Sequence, residues 1–420
     1  MGNRPRTVSI HILNDDSLLH VFYLYRPLFR DEDDIAEWIY NGRWWYVLAH
    51  VCQRWRNIVL CSATYLGLSL LCTYGTPVAD MLAHSPPLPL IISYFFENRE
   101  LTTEDEEGII LALKQHERVR RVRLSSVGTI IQKLIMARDE ECPILEFMYI
   151  MCPIEDNTTI LRFPESFQAP HLRYLTLRGF ALPIGSRLLT TAVSLVTLHL
   201  NMVHPSTYFH PNTLIQWISL MPHLETLDIF LQLSIPNRDV ERQLTHTPIV
   251  APITLPNLHH LRFHGVNTYL EALVHRITTP RLKDFYIGFS NQPTFSVPRL
   301  LQFVIAAENF RLGNAVLSFH DKSVDMGVYP YGETNVYALS IVVQCYHLDW
   351  QASSMAQISS SLNQILSHCL ELEDTELRLG LLPELVGLEY FGDTGDAFTA
   401  FVDSRRNAGH PINLVRVARA

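Results

Sequence analysis

Pro256-Asn257-Leu258-His259-His260-Leu261-Arg262-Phe263 is followed by Pro280-Arg281-Leu282-Lys283-Asp284-Phe285-Tyr286-Ile287. Both obey one pattern: Pro, any residue, Leu, two residues, apolar, one residue, apolar. Reading outward, the pattern recurs from Pro143 to Ile150, Pro170 to Leu177, Pro222 to Ile229 and Pro383 to Tyr390. Versions without proline stand at Val119, Val122, Leu124 and at Leu195, Leu198, Leu200. A bare apolar triplet arises often by chance in a chain that is 48% hydrophobic, so the attached proline makes the series informative. Pro298-Arg299-Leu300 also fits, but it runs on into Ala306 and Ala307 and reads as a helix.

The first apolar positions, 119, 145, 172, 195, 224, 258 and 282, stand 23 to 34 residues apart. Apolar residues two apart predict a strand, with the flanking positions on its other face. The intervening stretches 212–221 and 268–277 have helical spacing. One strand and its helix cannot bury their own apolar face, whereas stacked units share a core. The spacing and the motif resemble leucine-rich repeats, in the irregular form of fungal F-box proteins with C-terminal repeats. The resemblance implies an α/β fold: an N-terminal F-box-like helical module followed by an irregular leucine-rich-repeat solenoid, or horseshoe. The expected domains are 1–75 (helical), 76–114 (linker and array cap), 115–395 (repeat array) and 396–420 (C-terminal cap).

The residues flanking the core positions are expected on the concave face. They include Arg121, Arg123 and Ser125, then Phe147, Tyr149, Tyr174, Arg178, His199, Asp228, Phe230, His260, Arg262, His264, Asp284, Tyr286 and Gly288. Aromatic and arginine side chains dominate binding hot spots. The expected substrate-binding residues are therefore Phe147, Tyr149, Tyr174, Arg178, His199, Phe230, His260, Arg262 and Tyr286. His199, His260, Arg262 and His264, with Arg178, form an expected cationic stripe suited to an acidic or phosphorylated segment, unless Asp228 and Asp284 cancel it.

At the N-terminus, Asn14 to Ser17 supply capping side chains, and Leu18, Val21, Phe22 and Tyr25 share one helical face. A second helix is expected to carry Ile35, Trp38 and Ile39. A third is expected to carry Leu48, Val51, Cys52, Trp55, Ile58 and Val59 on one stripe. Leu13 to Phe22 resembles the opening helix of an F-box, and Leu48 to Ile58 resembles its closing L-x-x-V-C-x-x-W-R segment. Asn14 departs from the family's proline, and residues 26–45 form an insertion. The resemblance implies binding to the Skp-type adaptor and cullin ligase core through Leu13, Leu18, Leu19, Phe22, Val51, Cys52 and Trp55.

A net charge of −9 and a pI near 6.1 argue against nucleic-acid binding. The basic run Arg118, Arg120, Arg121 and Arg123 reads as a solvated face. Seven scattered cysteines without a C-x-x-C pair, and no apolar leader after Met1, point to the cytoplasm or nucleus. The charge-free run Ile58 to Tyr74 is short for a membrane span and carries several hydroxyls, so no membrane insertion is expected. None of the four lysines, Lys114, Lys133, Lys283 and Lys322, follows a phosphate-binding glycine loop, and metalloprotease and hydrolase motifs are absent. The expectation is a non-enzymatic substrate-recognition subunit without cofactor or metal, binding a protein substrate not identifiable from the sequence. The alternative is a leucine-rich-repeat scaffold whose F-box-like segment binds no ligase.

Overall fold

A computed structural model of the chain describes residues 12–27, 42–95, 101–126, 130–132, 141–152, 161–202, 208–231, 252–292, 295–306, 312–320, 323–330, 338–344, 387–391, 403, 406 and 414–418. The protein is mixed α/β, and it divides into two compact units, Met1–Ile150 and Met151–Ala420.

The first unit opens with helix α1 (Asp15–Tyr25), capped by Asn14, whose side chain accepts a hydrogen bond from Ser17 N at 2.8 Å. Asp15 and Asp16 in the first turn complement the helix dipole. The expected helix through Ile35, Trp38 and Ile39 lies outside the described residues. The single helix expected from Leu48 to Val59 is two: α2 (Trp44–Ala49) and α3 (Gln53–Cys61), followed by α4 (Ala63–Leu66). Cys52, extended at φ −161°, breaks the run as N-cap of α3. Arg56 Nε donates to Ala49 O at 3.0 Å and thereby satisfies a carbonyl freed by the break. Gly67, left-handed at φ 65°, ends α4, and the chain enters strand β1 (Leu70–Cys72). No helix among the described residues is long and apolar enough to cross a membrane.

Helix α5 (Val78–His84), strand β2 (Leu90–Tyr94), helix α6 (Thr103–Leu113), strand β3 (Val119–Ser125) and strand β4 (Phe147–Met151) follow. Thr102 and Asp105 form a capping box that starts α6. Strands β1, β2 and β3 pair in parallel. Parallel pairing thus begins well before residue 115, and the stretch 76–114, expected as linker and cap, carries α5, β2 and α6.

The second unit contains β5 (Leu161–Arg162), β6 (Tyr174–Arg178), β7 (Phe180–Ala181), helix α7 (Arg187–Thr191), β8 (Thr197–Met202), helix α8 (Pro211–Ile218) and β9 (Thr226–Leu231). It continues through β10 (Ile253–Thr254), β11 (His260–Gly265), helix α9 (Asn267–Val274), β12 (Ile277–Thr278), β13 (Asp284–Ser290) and helix α10 (Pro298–Ala306). The last strands are β14 (Leu312–His320), β15 (Ser323–Pro330), β16 (Leu339–Gln344), β17 (Gly387–Phe391) and β18 (Leu414–Ala418). The large sheet of this unit runs β6-β8-β9-β11-β13-β16-β15-β14-β17-β18 and does not close into a barrel. It is parallel except at β16-β15 and β15-β14, where residues after 310 turn into an antiparallel meander.

The motif copies described at β3, β4, β6, β8, β9, β11 and β13 are all strands, and Leu388 and Tyr390 of the last copy lie on β17. The rejected copy at Pro298 is a helix, as expected. The proline has a local cause. Leu145, Leu172, Leu195, Leu224, Leu258 and Leu282 each donate their N–H to the carbonyl three residues back, over 3.1 to 3.4 Å. Pro143, Pro170, Pro222, Pro256 and Pro280 occupy the second turn position, where a fixed φ near −65° is favourable, and Val193 replaces proline once. After each turn the apolar residues align across strands. Leu175, Leu198, Leu227, Leu261, Phe285 and Leu339 form one fully buried column. Leu177, Leu200, Ile229, Phe263, Ile287 and Ile341 form a second. Helices α8, α9 and α10 pack in succession. Glu271 of α9 links two of them by accepting from Arg299 N and Leu300 N, at 2.9 and 2.8 Å, at the start of α10.

Candidate functional site

In the helical segment, α1 packs on α3 through Leu18, Phe22 and Trp55. Leu18 and Phe22 are fully buried, and the Phe22 and Trp55 rings are 4.8 Å apart. Of the residues expected to meet an adaptor, Leu18 and Phe22 therefore serve the internal core. Leu13, Leu19, Cys52 and Trp55 are half-buried, and Val51 is 56% exposed. Arg54 bridges the elements, donating to Leu13 O at 2.6 Å and to the Asp15 carboxylate at 2.8 Å. The outer surface is unusually apolar: Val21, Leu24, Tyr25, Val47 and Tyr65 are exposed, Leu24 by 70%. Tyr23 lies 5.1 Å from Tyr65 and Tyr25 lies 6.4 Å from Trp44, so aromatic contacts join α1 to α4 and α2. The sequence pattern placed Val21 and Tyr25 with the core residues and did not single out Leu24, Val47 or Tyr65.

On the non-core face of the sheet in the second unit, three rows run across β6, β8, β9, β11 and β13. They are Tyr174-Thr197-Thr226-His260-Asp284, Thr176-His199-Asp228-Arg262-Tyr286 and Arg178-Asn201-Phe230-His264-Gly288. Adjacent residues in a row are about 5 Å apart, so the expected substrate-binding residues Tyr174, Arg178, His199, Phe230, His260, Arg262 and Tyr286 do share one face. Their environments differ. His260 and Arg262 are exposed, Arg178, His199, Phe230 and Tyr286 are half-buried, and Tyr174 is buried with its ring 5.7 Å from His199. Phe147, on β4 of the first unit, is likewise buried, and Tyr149 is half-buried.

The expected cationic stripe does not form. Asp228 stands in register between His199 and Arg262. Burial raises the Asp228 pKa, and the nearby His199 and Arg262 charges oppose that rise. Asp284 approaches His260 to 3.6 Å. His264 is buried, its ring stacked on Phe230 at 4.3 Å and 15° and its Nε2 hydrogen-bonded to Ser290 Oγ at 2.7 Å. Burial pushes the His264 pKa down to about 4, so it carries no charge at neutral pH.

His264 makes stability pH-dependent. Its folded pKa of about 4 lies below the value near 6.5 expected in the unfolded chain. The unfolded state therefore takes up the proton first on acidification. The stabilisation is complete above about pH 6.5 and is lost as pH falls towards 4. The expected loss is on the order of 3 kcal/mol, measured as the difference in pH slope of urea unfolding between the native chain and His264→Gln. Equal slopes would show that His264 is not held neutral by the fold.

The basic run of β3 is not the freely solvated face expected from the sequence. Arg118 donates to Leu88 O at 3.1 Å and Arg120 pairs with Glu146 at 2.9 Å, while Arg121 and Arg123 are half-buried. Among the described residues no group of three or more His, Cys, Asp or Glu side chains is placed to hold a metal ion. No family model and no curated protein matches the chain.

Proposed function

We propose that the chain is the substrate-recognition subunit of an SCF-type cullin ubiquitin ligase. In this reading the N-terminal helices are an F-box-like module that docks on the Skp-type adaptor, and the strands that follow belong to a leucine-rich-repeat solenoid that binds a protein substrate. The observation that carries the reading is the exposed apolar surface of α1 to α4, directly ahead of parallel strands built on a recurring turn. A surface bearing Val21, Leu24, Tyr25, Val47, Val51 and Tyr65 is costly to leave in water and suits a permanent partner. Such a receptor needs no reacting group, because holding a substrate near the conjugating enzyme raises its effective concentration.

The test is co-purification of the full chain with a Skp-type adaptor. The native chain is expected to recover the adaptor in stoichiometric amount. Leu24→Asp with Val51→Asp should lower recovery at least about tenfold, as expected for loss of apolar contacts at an interface centre. Both positions are exposed, so thermal unfolding should barely move. Failure of the native chain to recover adaptor, or undiminished recovery by the double variant, would overturn the reading.

A further inference from the structure

A cleft of about 450 Å³, within the size range of small-ligand sites, opens between the start of α5 and one face of α6 in the first unit. Asp105, 5% exposed, fixes its walls. The Asp105 carboxylate accepts from Gly75 N at 3.0 Å and from Thr102 N and Oγ1 at 3.2 and 2.9 Å, which ties the loop after β1 to the start of α6. Glu104, Glu107, Gly108 and Leu111 recur at helical spacing and share the face of α6 that lines the cleft. Gly108 lets this face approach α5, because a β-carbon there would lie 3.0 Å from Val78 Cγ2. Val78, Ala79 and Leu111 give the cleft an apolar lining, while Asp80, Glu104 and Glu107, all exposed, give it an acidic rim. Among the described residues these three carboxylates have no ion pair, and no lysine, arginine or histidine lines the cleft. Arg43 touches the lining at the Thr76 hydroxyl, at 3.5 Å, and pairs with none of them. Like charges one turn apart on a helix, as Glu104 and Glu107 are, destabilise it unless a cation joins them. Beneath the floor lies an unmet polar group: Tyr94 of β2 is 1% exposed, and its hydroxyl, 3.7 Å from where a Gly108 β-carbon would stand, has no hydrogen-bond partner. A buried hydroxyl left unpaired is costly, and this one aims at the gap that the glycine leaves.

We propose that this cleft binds a lysine or arginine side chain of a basic protein segment, with the stem on Val78, Ala79 and Leu111, the charged head at the rim of Asp80, Glu104 and Glu107, and the Tyr94 hydroxyl as a further acceptor at the floor. Long basic side chains carry an apolar stem and a charged head, and the cleft offers a surface for each. Among the described residues no three carboxylates are placed to hold a metal ion, whereas an ammonium or guanidinium head needs only one or two of them. The inference is independent of the ligase reading, because no residue of the cleft lies on α1 to α4.

The probe is a fluorescein-labelled peptide of alternating Lys and Ser, titrated with the full-length protein and followed by anisotropy, with a Gln-Ser peptide of equal length for comparison. The Lys peptide is expected to bind at least about tenfold more tightly than the Gln peptide, and to weaken as salt rises from ~50 to ~300 mM. Asp80→Asn with Glu107→Gln should weaken it about tenfold. The chain's net charge of −9 attracts any basic peptide, so Glu117→Gln with Glu141→Gln removes the same charge from exposed positions outside the cleft. That pair should change binding less than about twofold. Ala79→Phe keeps every charge and fills the cleft, and should weaken binding about tenfold. Tyr94→Phe should weaken it about threefold. Thermal unfolding of each variant guards against loss of fold. Equal binding of the Lys and Gln peptides, an equal effect of the remote pair, undiminished binding by Ala79→Phe or Tyr94→Phe, or an affinity for free spermidine equal to that for the peptide would overturn the assignment. Adaptor recovery by Asp80→Asn with Glu107→Gln reads the ligase proposal separately.

Discussion

Phe285→Ala is expected to remove about 3–5 kcal/mol of stability, the usual range for a large aromatic truncated in a packed core. Phe285 is fully buried, stands in register between Leu261 and Leu339, and meets the Phe303 ring edge to face at 5.7 Å. Truncation therefore leaves a void bounded by two strands and by α10, none of which can close it without giving up its own pairing. The neighbouring Tyr286→Ala provides the contrast. Its side chain lies half-buried on the opposite face, so a loss of about 1 kcal/mol is expected. Urea unfolding of both variants measures the difference, and equal losses would mean that the apolar columns are not the core.

Gly288→Ala should cost about 1–3 kcal/mol, although it adds a single methyl group. A β-carbon at Gly288 would fall inside contact distance of His264 Nδ1 and 2.9 Å from its Cγ and Cε1. The imidazole would have to move, losing its stack on Phe230 and its hydrogen bond to Ser290. The decisive comparison is a double-mutant cycle, because in a His264→Ala background the same methyl group has room. Gly288→Ala should be nearly neutral there, and a penalty persisting without the imidazole would place its cause in the backbone.

The strands were legible because the motif encodes two physical events together. Proline sets a turn, and apolar residues two apart then face one side. Where either half is missing, the sequence was mute. β1 lies in the stretch 1–75 expected to be helical, and β2 lies in the stretch read as linker and cap, because after Pro86-Pro87-Leu88 the last apolar position of the motif falls on Ser93. β14 to β16 pair antiparallel and follow no repeat at all. Helical periodicity correctly grouped Leu18 and Phe22. It could not say which edge of α1 would be covered, and Val21 and Tyr25, on the same pattern, are exposed. The charge of the strand face was illegible for a related reason. The side on which His199, Asp228 and Arg262 emerge follows from alternation, but that Asp228 lies between the two cations depends on a register set by residues far apart in sequence.

The order β13-β16-β15-β14 has a consequence during synthesis. β13 is complete at Ser290, yet the strand that pairs with it ends at Gln344, and β14 and β15, which emerge first, are not its neighbours in the strand order. At roughly 5–20 residues per second on the ribosome, β13 is left without its neighbour for several seconds. Throughout that time it is an uncapped edge carrying Phe285, Ile287 and Phe289, the kind of surface on which nascent chains pair with one another. Yield from the cell should accordingly depend on chaperone supply during elongation more than on the stability of the finished protein.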